Sequence, residues 1–267
     1  MDTGVFEQAE KVMNLQNNVA IVTGGASGLG EATVRQFAEQ EAKVAIFDLN
    51  EERGNALAEE LGENVIFCQV NVADDASVSA GIDRVMKTLS AIHVCVNCAG
   101  RGGGATKTYG RKGRFPMELF RDVININLIG TFNVLTQAVE KMSENEPNEN
   151  GERGVVINTA SIAAFEGQKG QVAYAASKGG LVGITLPIAR DLASYGVRVV
   201  TIAPGLCETP ILKGLAPEIK EDLAKDIPFP SRLAKPKEFA WLAEHIVFNP
   251  YINGETIRLD AGLRMKY

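Results

Sequence analysis

Short apolar runs alternate along this chain with longer segments in which apolar residues recur at every third or fourth position. Residues 19–22 form the first apolar run, and a glycine-rich turn follows at residues 23–30. Apolar residues then continue at helical spacing to about residue 38. Short β-branched runs favour buried strands, and a 3.6-residue period favours helices. The pattern therefore predicts a strand, a tight turn and a helix at the start of the fold.

The same order of elements repeats towards the end of the chain. Regular alternation of strands and helices predicts one α/β domain, built as a Rossmann-like, doubly wound parallel sheet of about seven strands with helices on both faces. Ligands of such sheets bind at the carboxyl ends of the strands. The further predicted strands are residues 42–50, 64–70, 92–96, 155–157, 196–205 and 254–262, and the further helices are residues 51–61, 74–89, 116–142, a segment from before Tyr174 to about 194, and 236–248.

Length and composition limit the possible classes of protein. The 267 residues suit a single domain, predicted at residues 18–267 after a loose N-terminal arm at residues 1–17. The chain is 45% hydrophobic and 22% charged, with a formal net charge of −6, so a nucleic-acid-binding surface is not indicated. No apolar run approaches the ~20 residues of a membrane span, so no membrane association is expected.

The leader and the cysteines indicate the compartment. The first 18 residues contain Asp2, Glu7 and Glu10 and no Arg, and they resemble neither a secretory signal nor a transit peptide. The four cysteines form no disulfide framework, which favours a reducing compartment, either the cytoplasm or the mitochondrial matrix. The segment with His93, Cys95 and Cys98 resembles a metal or redox site on paper. Residues three apart on a strand face opposite sides of the sheet, however, so buried thiols and no metal are predicted.

The glycine-rich turn is a candidate phosphate-binding loop. It lies between a predicted strand and a predicted helix, where backbone N–H groups and the positive end of the helix can meet a pyrophosphate. A Cβ at Gly24, Gly28 or Gly30 would obstruct that approach. The residues expected to hold the cofactor here are Gly24, Ser27, Gly28, Leu29 and Gly30.

The second predicted strand ends in an acidic residue that bears on the choice of cofactor. Asp48 follows Gly30 by 18 residues, where a carboxylate accepts hydrogen bonds from the adenosine ribose and repels a 2′-phosphate. The predicted cofactor is therefore NAD. The alternative is that Asp48 caps the helix that starts near Glu51. Asn71 and Val72, after the third strand, are expected to meet the adenine.

The stretch from Gly154 to Gly180 carries the candidate chemistry. Tyr174 and Lys178 are four residues apart on one face of a predicted helix. A unit positive charge about 4 Å from a phenol favours the phenolate by up to about 4 kcal/mol at an effective dielectric of about 20, before the desolvation of both groups is subtracted, so Tyr174 is expected to exchange a proton near pH 7. Ser161, at a predicted strand end, can hold the same substrate oxygen. Otherwise, Tyr174 is an ordinary helix residue and Lys178 a solvated one.

Three further segments are candidate contributors to the site. Asn127 lies inside an apolar helix and must find hydrogen-bond partners, either through a water that leads to Lys178 or in a purely structural role. The insertion at residues 101–114 has five basic residues and no acid, so it either binds the phosphates of a large anionic substrate or is a solvated loop. Residues 206–230 mix Pro, Gly and apolar residues, which predicts a mobile substrate flap with short helices.

Together these motifs resemble the short-chain dehydrogenase/reductase family. The resemblance rests on T-G-x-x-x-G-x-G at residues 23–30, N-C-A-G at 97–100, N-I-N-L around Asn127, Ser161, Y-A-A-S-K at 174–178 and P-G at 204–205. It implies hydride transfer with a catalytic tetrad, in which Lys178 lowers the pKa of Tyr174 and binds ribose. The residues it implies are Asn127, Ser161, Tyr174 and Lys178 for catalysis, Asn97, Ala99, Gly100, Pro204, Gly205 and Thr209 for the cofactor, and Gln168 and Cys207 for the substrate.

Longer runs, among them NTASIAAFEGQ and NGETIRLD, are similar to a branch of the family that oxidises 3-hydroxyacyl-CoA with NAD. That resemblance implies an acyl-CoA substrate and a homotetramer. Cys98 replaces the usual second Asn of the family, and Asn71 replaces an Asp. Two alternatives stay open: the same chemistry on steroids or other secondary alcohols, and a scaffold or RNA-processing subunit in which the dehydrogenase site is incidental.

Overall fold

A seven-stranded parallel sheet forms the centre of the molecule. The structure, a computed structural model, describes residues 12–111, 113–209 and 217–266. The sheet order is β3-β2-β1-β4-β7-β8-β9, and all six strand pairs are parallel. The strands are β1 (Val19–Thr23), β2 (Lys43–Asp48), β3 (Val65–Gln69), β4 (Val94–Asn97), β7 (Gly154–Thr159), β8 (Val197–Pro204) and β9 (Thr256–Leu259), and β5 (Tyr109–Gly110) and β6 (Gly113–Arg114) form a separate hairpin.

Helices cover both faces of this sheet, which confirms the fold predicted from the alternating pattern. Along β1, Ala20 and Val22 pack into one apolar cluster, while Val19 and Ile21 pack into the other. Strands buried on both faces need continuous apolar runs, as this sequence has. The helices are α1 (Gly28–Glu39), α2 (Glu51–Leu61), α3 (Asp75–Leu89), α4 (Met117–Ile124), α5 (Gly130–Met142), α6 (Val172–Asp191), α7 (Pro217–Ala224) and α8 (Pro236–Phe248).

The strand order reverses between β1 and β4, and this reversal creates the crevice that holds the site. From β1 the chain runs outward through β2 and β3, and then returns to β4 on the other side of β1. The connections after β1 and β4 therefore diverge at the carboxyl edge of the sheet. Residues that follow β1, β2, β4, β7 and β8 consequently lie around one opening.

The segment before β1 differs from the expectation of a loose arm. Residues 1–11 lie outside the described residues. In the remainder, the side chains of Met13 and Leu15 are buried in the same apolar cluster as Phe37, and the Asn17 amide donates to the Glu41 carbonyl at 3.0 Å. Residues 12–17 are therefore packed against the domain that is predicted to begin at residue 18.

Two segments that sequence analysis left irregular have defined structure where they are described. Part of the basic insertion forms the β5–β6 hairpin, with Lys112 outside the described residues. In the predicted flap, the Leu206 carbonyl accepts a hydrogen bond from Ala234 at 2.9 Å, so the beginning of this segment is fixed against residues 28 positions further on. Residues 210–216 lie outside the described part of the chain, and α7 follows them.

Helix α6 is the one element that meets the length and hydropathy of a membrane span among the described residues, contrary to the expectation from sequence. It is 20 residues long, with a mean hydropathy of 1.3. One such helix is weak support for a membrane span, because core helices of globular domains have the same composition. Here α6 packs against β8 and buries Lys178 and Leu181, so core packing explains part of its apolar character.

Candidate active site

A single open cleft of about 630 Å3 runs along the carboxyl edge of the sheet. The glycine turn lines one end of it, and the residues after β7 and β8 line the other. It therefore brings together most of the site residues predicted from sequence: Gly24, Ser27, Gly28, Leu29, Gly30, Asp48, Asn71, Val72, Ala99, Gly100, Ser161, Gln168, Tyr174, Lys178, Pro204, Gly205, Cys207 and Thr209.

The glycine turn is packed more tightly than the phosphate argument alone requires. Gly24 has a φ of +62°, and a Cβ there would lie 2.9 Å from the Ala99 backbone. A Cβ at Gly30 would lie 2.2 Å from the Gly24 carbonyl oxygen. These glycines let β1, the turn and α1 approach each other, and that close packing places the free N–H groups of the α1 amino end in the cleft. The backbone thus fits a dinucleotide pyrophosphate.

Asp48 faces the turn and does not cap the next helix. One carboxylate oxygen accepts from the Ala26 amide at 3.0 Å, and the other accepts from the Asn50 amide at 2.9 Å. The cap of α2 is Asn50, whose side chain accepts from the Arg53 amide at 3.0 Å. The capping alternative for Asp48 is therefore wrong. Its negative charge lies at the edge of the cleft, within one hydrogen bond of the turn.

Ser161, Tyr174 and Lys178 converge at the other end of the cleft. Ser161 follows β7 and caps a short 3-10 helix, where its Oγ accepts from the Ala163 amide at 3.1 Å. Lys178 is 5% exposed, and its Nζ lies 5.8 Å from the centroid of the Tyr174 ring and 2.6 Å from the Thr159 carbonyl oxygen. A hydroxyl, a phenol and an ammonium therefore surround the same opening.

The pKa of Tyr174 shifts in the direction opposite to the one expected from sequence. Burial raises the pKa of Tyr174, a hydrogen bond with Ser161 lowers it, and the neighbouring Cys207 raises it. Burial also lowers the pKa of Lys178 to about 8. Desolvation of the phenol is the largest of the effects on Tyr174, and it is set by the packing around the ring.

Asn127 lies behind the cleft wall, within a π-helical turn (Asn125–Ile129) that joins α4 and α5. It is fully buried, its Oδ1 accepts from the Arg101 amide at 2.8 Å, and its Nδ2 donates to the Arg101 carbonyl and to Ser177 Oγ, both at 3.0 Å. The amide has found its partners in protein groups. Through them it holds residues 100–101 beside Lys178, and a π-helical turn at this point is typical of functional sites.

Asn97 is the other predicted site residue that does not line the cleft. It is 2% exposed, and its amide donates to Asn158 Oδ1 at 3.0 Å, one layer beneath the surface. Asn97 is the last residue of β4, and its side chain lies against the neighbouring strand β7. Ala99 and Gly100 follow at the opening of the cleft. Asn97 therefore supports the site from below.

The C-x-x-C sequence does not form a metal centre. Cys95 packs into one apolar cluster and Cys98 against the other, on opposite faces of the sheet, as the strand spacing predicted. The ring of His93 accepts from the Val19 amide at 3.1 Å. Burial raises the pKa of Cys98 to about 11 and that of Cys207 to about 12. Within residues 12–111, 113–209 and 217–266, no group of three potential ligands is found.

The carboxyl-terminal tail contributes to the cleft, and sequence analysis missed it. Met265 lines the substrate end. The Gln168 side chain donates to the Lys266 carbonyl at 3.1 Å, and Glu166 accepts from the Met265 amide at 3.2 Å and from Arg258 at 2.7 and 3.0 Å. These residues are almost a hundred positions apart, so no local pattern could have revealed the contact.

Comparison with known proteins agrees with this geometry. The sequence profile of the short chain dehydrogenases matches residues 18–220. This chain is 49% identical over 260 residues to the 3-hydroxyacyl-CoA dehydrogenase type-2 of Rattus norvegicus, covering 97% of this chain and 99% of the relative, and 48% identical over 252 residues to the protein of the same name in Drosophila melanogaster, covering 94% and 99%. The chain therefore belongs to the short-chain dehydrogenase family.

The particular relatives share one name, and a solved structure extends the similarity to the fold. The crystal structure of 3-hydroxyacyl-CoA dehydrogenase type-2 from Mycobacterium avium matches with a TM-score of 0.91 and 44% identity, covering 97% of this chain and 98% of the other. This chain is thus an oxidoreductase that closely matches dehydrogenases of that type. Dehydrogenases of this family generally use NAD or NADP.

Proposed function

We propose that this enzyme interconverts 3-hydroxyacyl-CoA and 3-oxoacyl-CoA, with NAD as the cofactor and Tyr174 as the proton-transfer group. One observation carries the proposal: Ser161, Tyr174 and Lys178 meet at one end of the cleft that has the glycine turn and Asp48 at its other end. A bound dinucleotide reaches from an adenosine site to a reaction site, so it would occupy both ends of this cleft. The names of the relatives support the substrate class.

The residues of this chain have complementary roles in the proposed reaction. The bound nicotinamide supplies the acceptor or donor of the hydride that leaves or joins the substrate C3. Ser161 donates a hydrogen bond to the substrate oxygen, and Tyr174 accepts the hydroxyl proton on oxidation or returns it on reduction. Lys178 lies beside the phenol, with its Nζ 5.8 Å from the centroid of the Tyr174 ring, where its ammonium group would bind the ribose hydroxyls of the cofactor.

The choice of NAD is attributed to Asp48, and this gives a first prediction. Replacing Asp48 with Asn keeps a side-chain oxygen for the Ala26 amide but removes the charge that repels a 2′-phosphate. The ratio of kcat/KM for NAD to that for NADP should fall roughly tenfold to a hundredfold. Steady-state kinetics with both cofactors measure it. If the unaltered enzyme already uses NADP as well as NAD, the assignment of Asp48 is wrong.

We propose that the basic insertion at residues 101–114 binds the phosphates of CoA at the cleft entrance. Lys107, Arg111 and Arg114 of the insertion are exposed, and Arg101, at its base, lines the cleft. Gly170, which follows the cleft residue Gln168, packs against Ala105 of the insertion. Positive charge at this entrance suits a substrate that carries several phosphates.

The second prediction is that removing the positive charges of the insertion weakens the binding of CoA thioesters. Changing Lys107, Arg111 and Arg114 together to Gln should raise KM for 3-hydroxybutyryl-CoA roughly tenfold at low salt, since each exposed charge contributes up to about 1 kcal/mol. KM for the N-acetylcysteamine thioester, which has no phosphates, should not change. The matched control neutralises Arg84, Lys87 and Arg190, which are exposed near the carboxyl ends of α3 and α6 and hence at the opposite edge of the sheet.

One observation favours the alternative of an uncharged secondary alcohol or steroid. Among the basic residues of the insertion that the structure describes, Arg101 alone lines the cleft, and it is paired with Asp122. If the triple variant of the insertion changes KM for both thioesters equally, or for neither, the insertion does not bind the phosphates of CoA. The alternative substrate class would then be the better account of the cleft.

We further propose a homotetramer in the cytoplasm or the mitochondrial matrix. Large apolar side chains on α5, α6 and α8 are exposed in the single chain, among them Phe132, Leu186 and Trp241. Exposed apolar residues in such numbers suit burial between identical subunits. The four free cysteines, of which three are buried and Cys98 is half-buried, suit either compartment.

A further inference from the structure

A second, smaller cavity lies beside the substrate end of the cleft and shares a wall with it. Its volume is about 210 Å3, and it is enclosed by residues from the segment before α8 and from the end of β9, including Ile227 and Ala234. Among the described residues, Leu206 lines both this cavity and the cleft. Nothing in the proposed chemistry uses this space.

The charged residues that line the second cavity already have ion-pair partners. Arg232 donates to both carboxylate oxygens of Glu238, at 2.9 and 2.6 Å. Asp260 accepts from Arg258 at 2.7 Å and from Arg264 at 3.0 Å. An ionic ligand would have to compete with these pairs, whereas an alkyl chain would not. The cavity is therefore suited to an uncharged, apolar group.

The wall between the two spaces is thin and apolar. Leu206 packs in a small cluster with Ile227 and Met265, and its carbonyl is fixed by the Ala234 amide at 2.9 Å. The backbone at this point is thus held in place, and Leu206 belongs to the wall that the cleft and the cavity share. A smaller side chain at this position would widen the connection between the two spaces.

We propose that this cavity is the subsite for the distal carbons of the acyl chain, and that Leu206 sets the length of chain that is accepted. The inference rests on the proposed function, since it places the thioester end of the same substrate beside Tyr174. An unbranched alkyl chain that leaves the cleft past Leu206 would exchange water for apolar walls, which favours binding with each methylene buried.

Two variants with opposite effects test the subsite in the full-length enzyme. Leu206→Ala makes the shared wall smaller, and Ala234→Leu adds bulk to the lining of the cavity. The first should raise the ratio of kcat/KM for long-chain to short-chain 3-hydroxyacyl-CoA roughly tenfold, and the second should lower that ratio roughly tenfold. If Ala234→Leu leaves the ratio at the value of the unaltered enzyme, the chain does not enter the cavity and the proposal is overturned.

A binding measurement separates failure of the subsite from failure of the proposed function. Titration calorimetry with n-octanol, an uncharged alkyl probe, needs no turnover. The unaltered enzyme should bind it, and Ala234→Leu should bind it roughly tenfold more weakly at an equal melting temperature. Equal affinity overturns the subsite, even where CoA thioesters are turned over. Weaker binding supports the subsite, even where no CoA thioester is a substrate.

Discussion

Replacing Tyr174 with Phe is expected to lower kcat for 3-hydroxyacyl-CoA oxidation by roughly a thousandfold, with KM changed little. The phenyl ring keeps the packing of α6, but the group that exchanges the proton is gone, and positioned acid–base groups contribute about 10²- to 10⁴-fold. Steady-state rates measured in both directions test this. The matched control is Tyr195→Phe, since Tyr195 is exposed and lies in a short 3-10 helix that follows the end of α6.

The pH dependence adds a signature that a structural role for Tyr174 would not have. Burial raises the pKa of Tyr174 above its ordinary value of 10.0. Reduction needs the protonated phenol, so its rate should stay flat through neutral pH and fall as the pH passes the raised pKa. Oxidation needs the phenolate, so its rate should climb over the same interval. A Phe variant that retains either pH dependence, or the full rate, shows that another group moves the proton.

Replacing Arg198 with Met is expected to lower the free energy of unfolding by about 3–5 kcal/mol, the largest stability effect we predict. Arg198 of β8 is 6% exposed and forms an ion pair with the buried Glu152. Its guanidinium also donates to the carbonyls of Ile246, Val247 and Ile252 at 2.8–3.0 Å, which ties the end of α8 to the sheet. Met fills similar space but leaves all of these acceptors unpaired. Urea unfolding, followed by circular dichroism, measures the loss.

The double variant Arg198→Met with Glu152→Gln tests the cause. Gln removes the buried charge that the single variant leaves without a partner, so the double variant should regain about 1–3 kcal/mol of the loss. A matched control is Arg35→Met, which breaks a more exposed ion pair with Glu60 and should change the free energy of unfolding far less. A loss below about 1 kcal/mol for Arg198→Met would contradict the account of the pair.

Much of the fold follows from local patterns in the sequence. The strands, the glycine turn and the alternation predict the sheet, because parallel strands buried on both faces must be apolar throughout. Tyr174 and Lys178 were found by their spacing on one helix face, and Ser161 by its place at a strand end. These are properties of short segments, so the sequence carries them directly.

Other features depend on contacts between distant parts of the chain. The pKa of Tyr174 is raised where the sequence predicted that it is lowered, because tertiary packing buries the phenol and the extent of that burial cannot be read from a local spacing. Met265 reaches the cleft through Glu166, and Arg198 finds Glu152 across 46 positions. The π-helical turn around Asn127 was also unpredicted, since it looks like ordinary helix in sequence.

The central claim is that this cleft moves a hydride from C3 of a 3-hydroxyacyl-CoA to NAD while Tyr174 takes the hydroxyl proton. The most direct measurement follows NADH formation from 3-hydroxybutyryl-CoA deuterated at C3, with mass analysis of the cofactor. The account predicts saturable turnover in the unaltered enzyme, one deuterium in each reduced cofactor, and near loss of turnover in Tyr174→Phe. Absence of saturable turnover with this thioester, or reduced cofactor without deuterium, would contradict it.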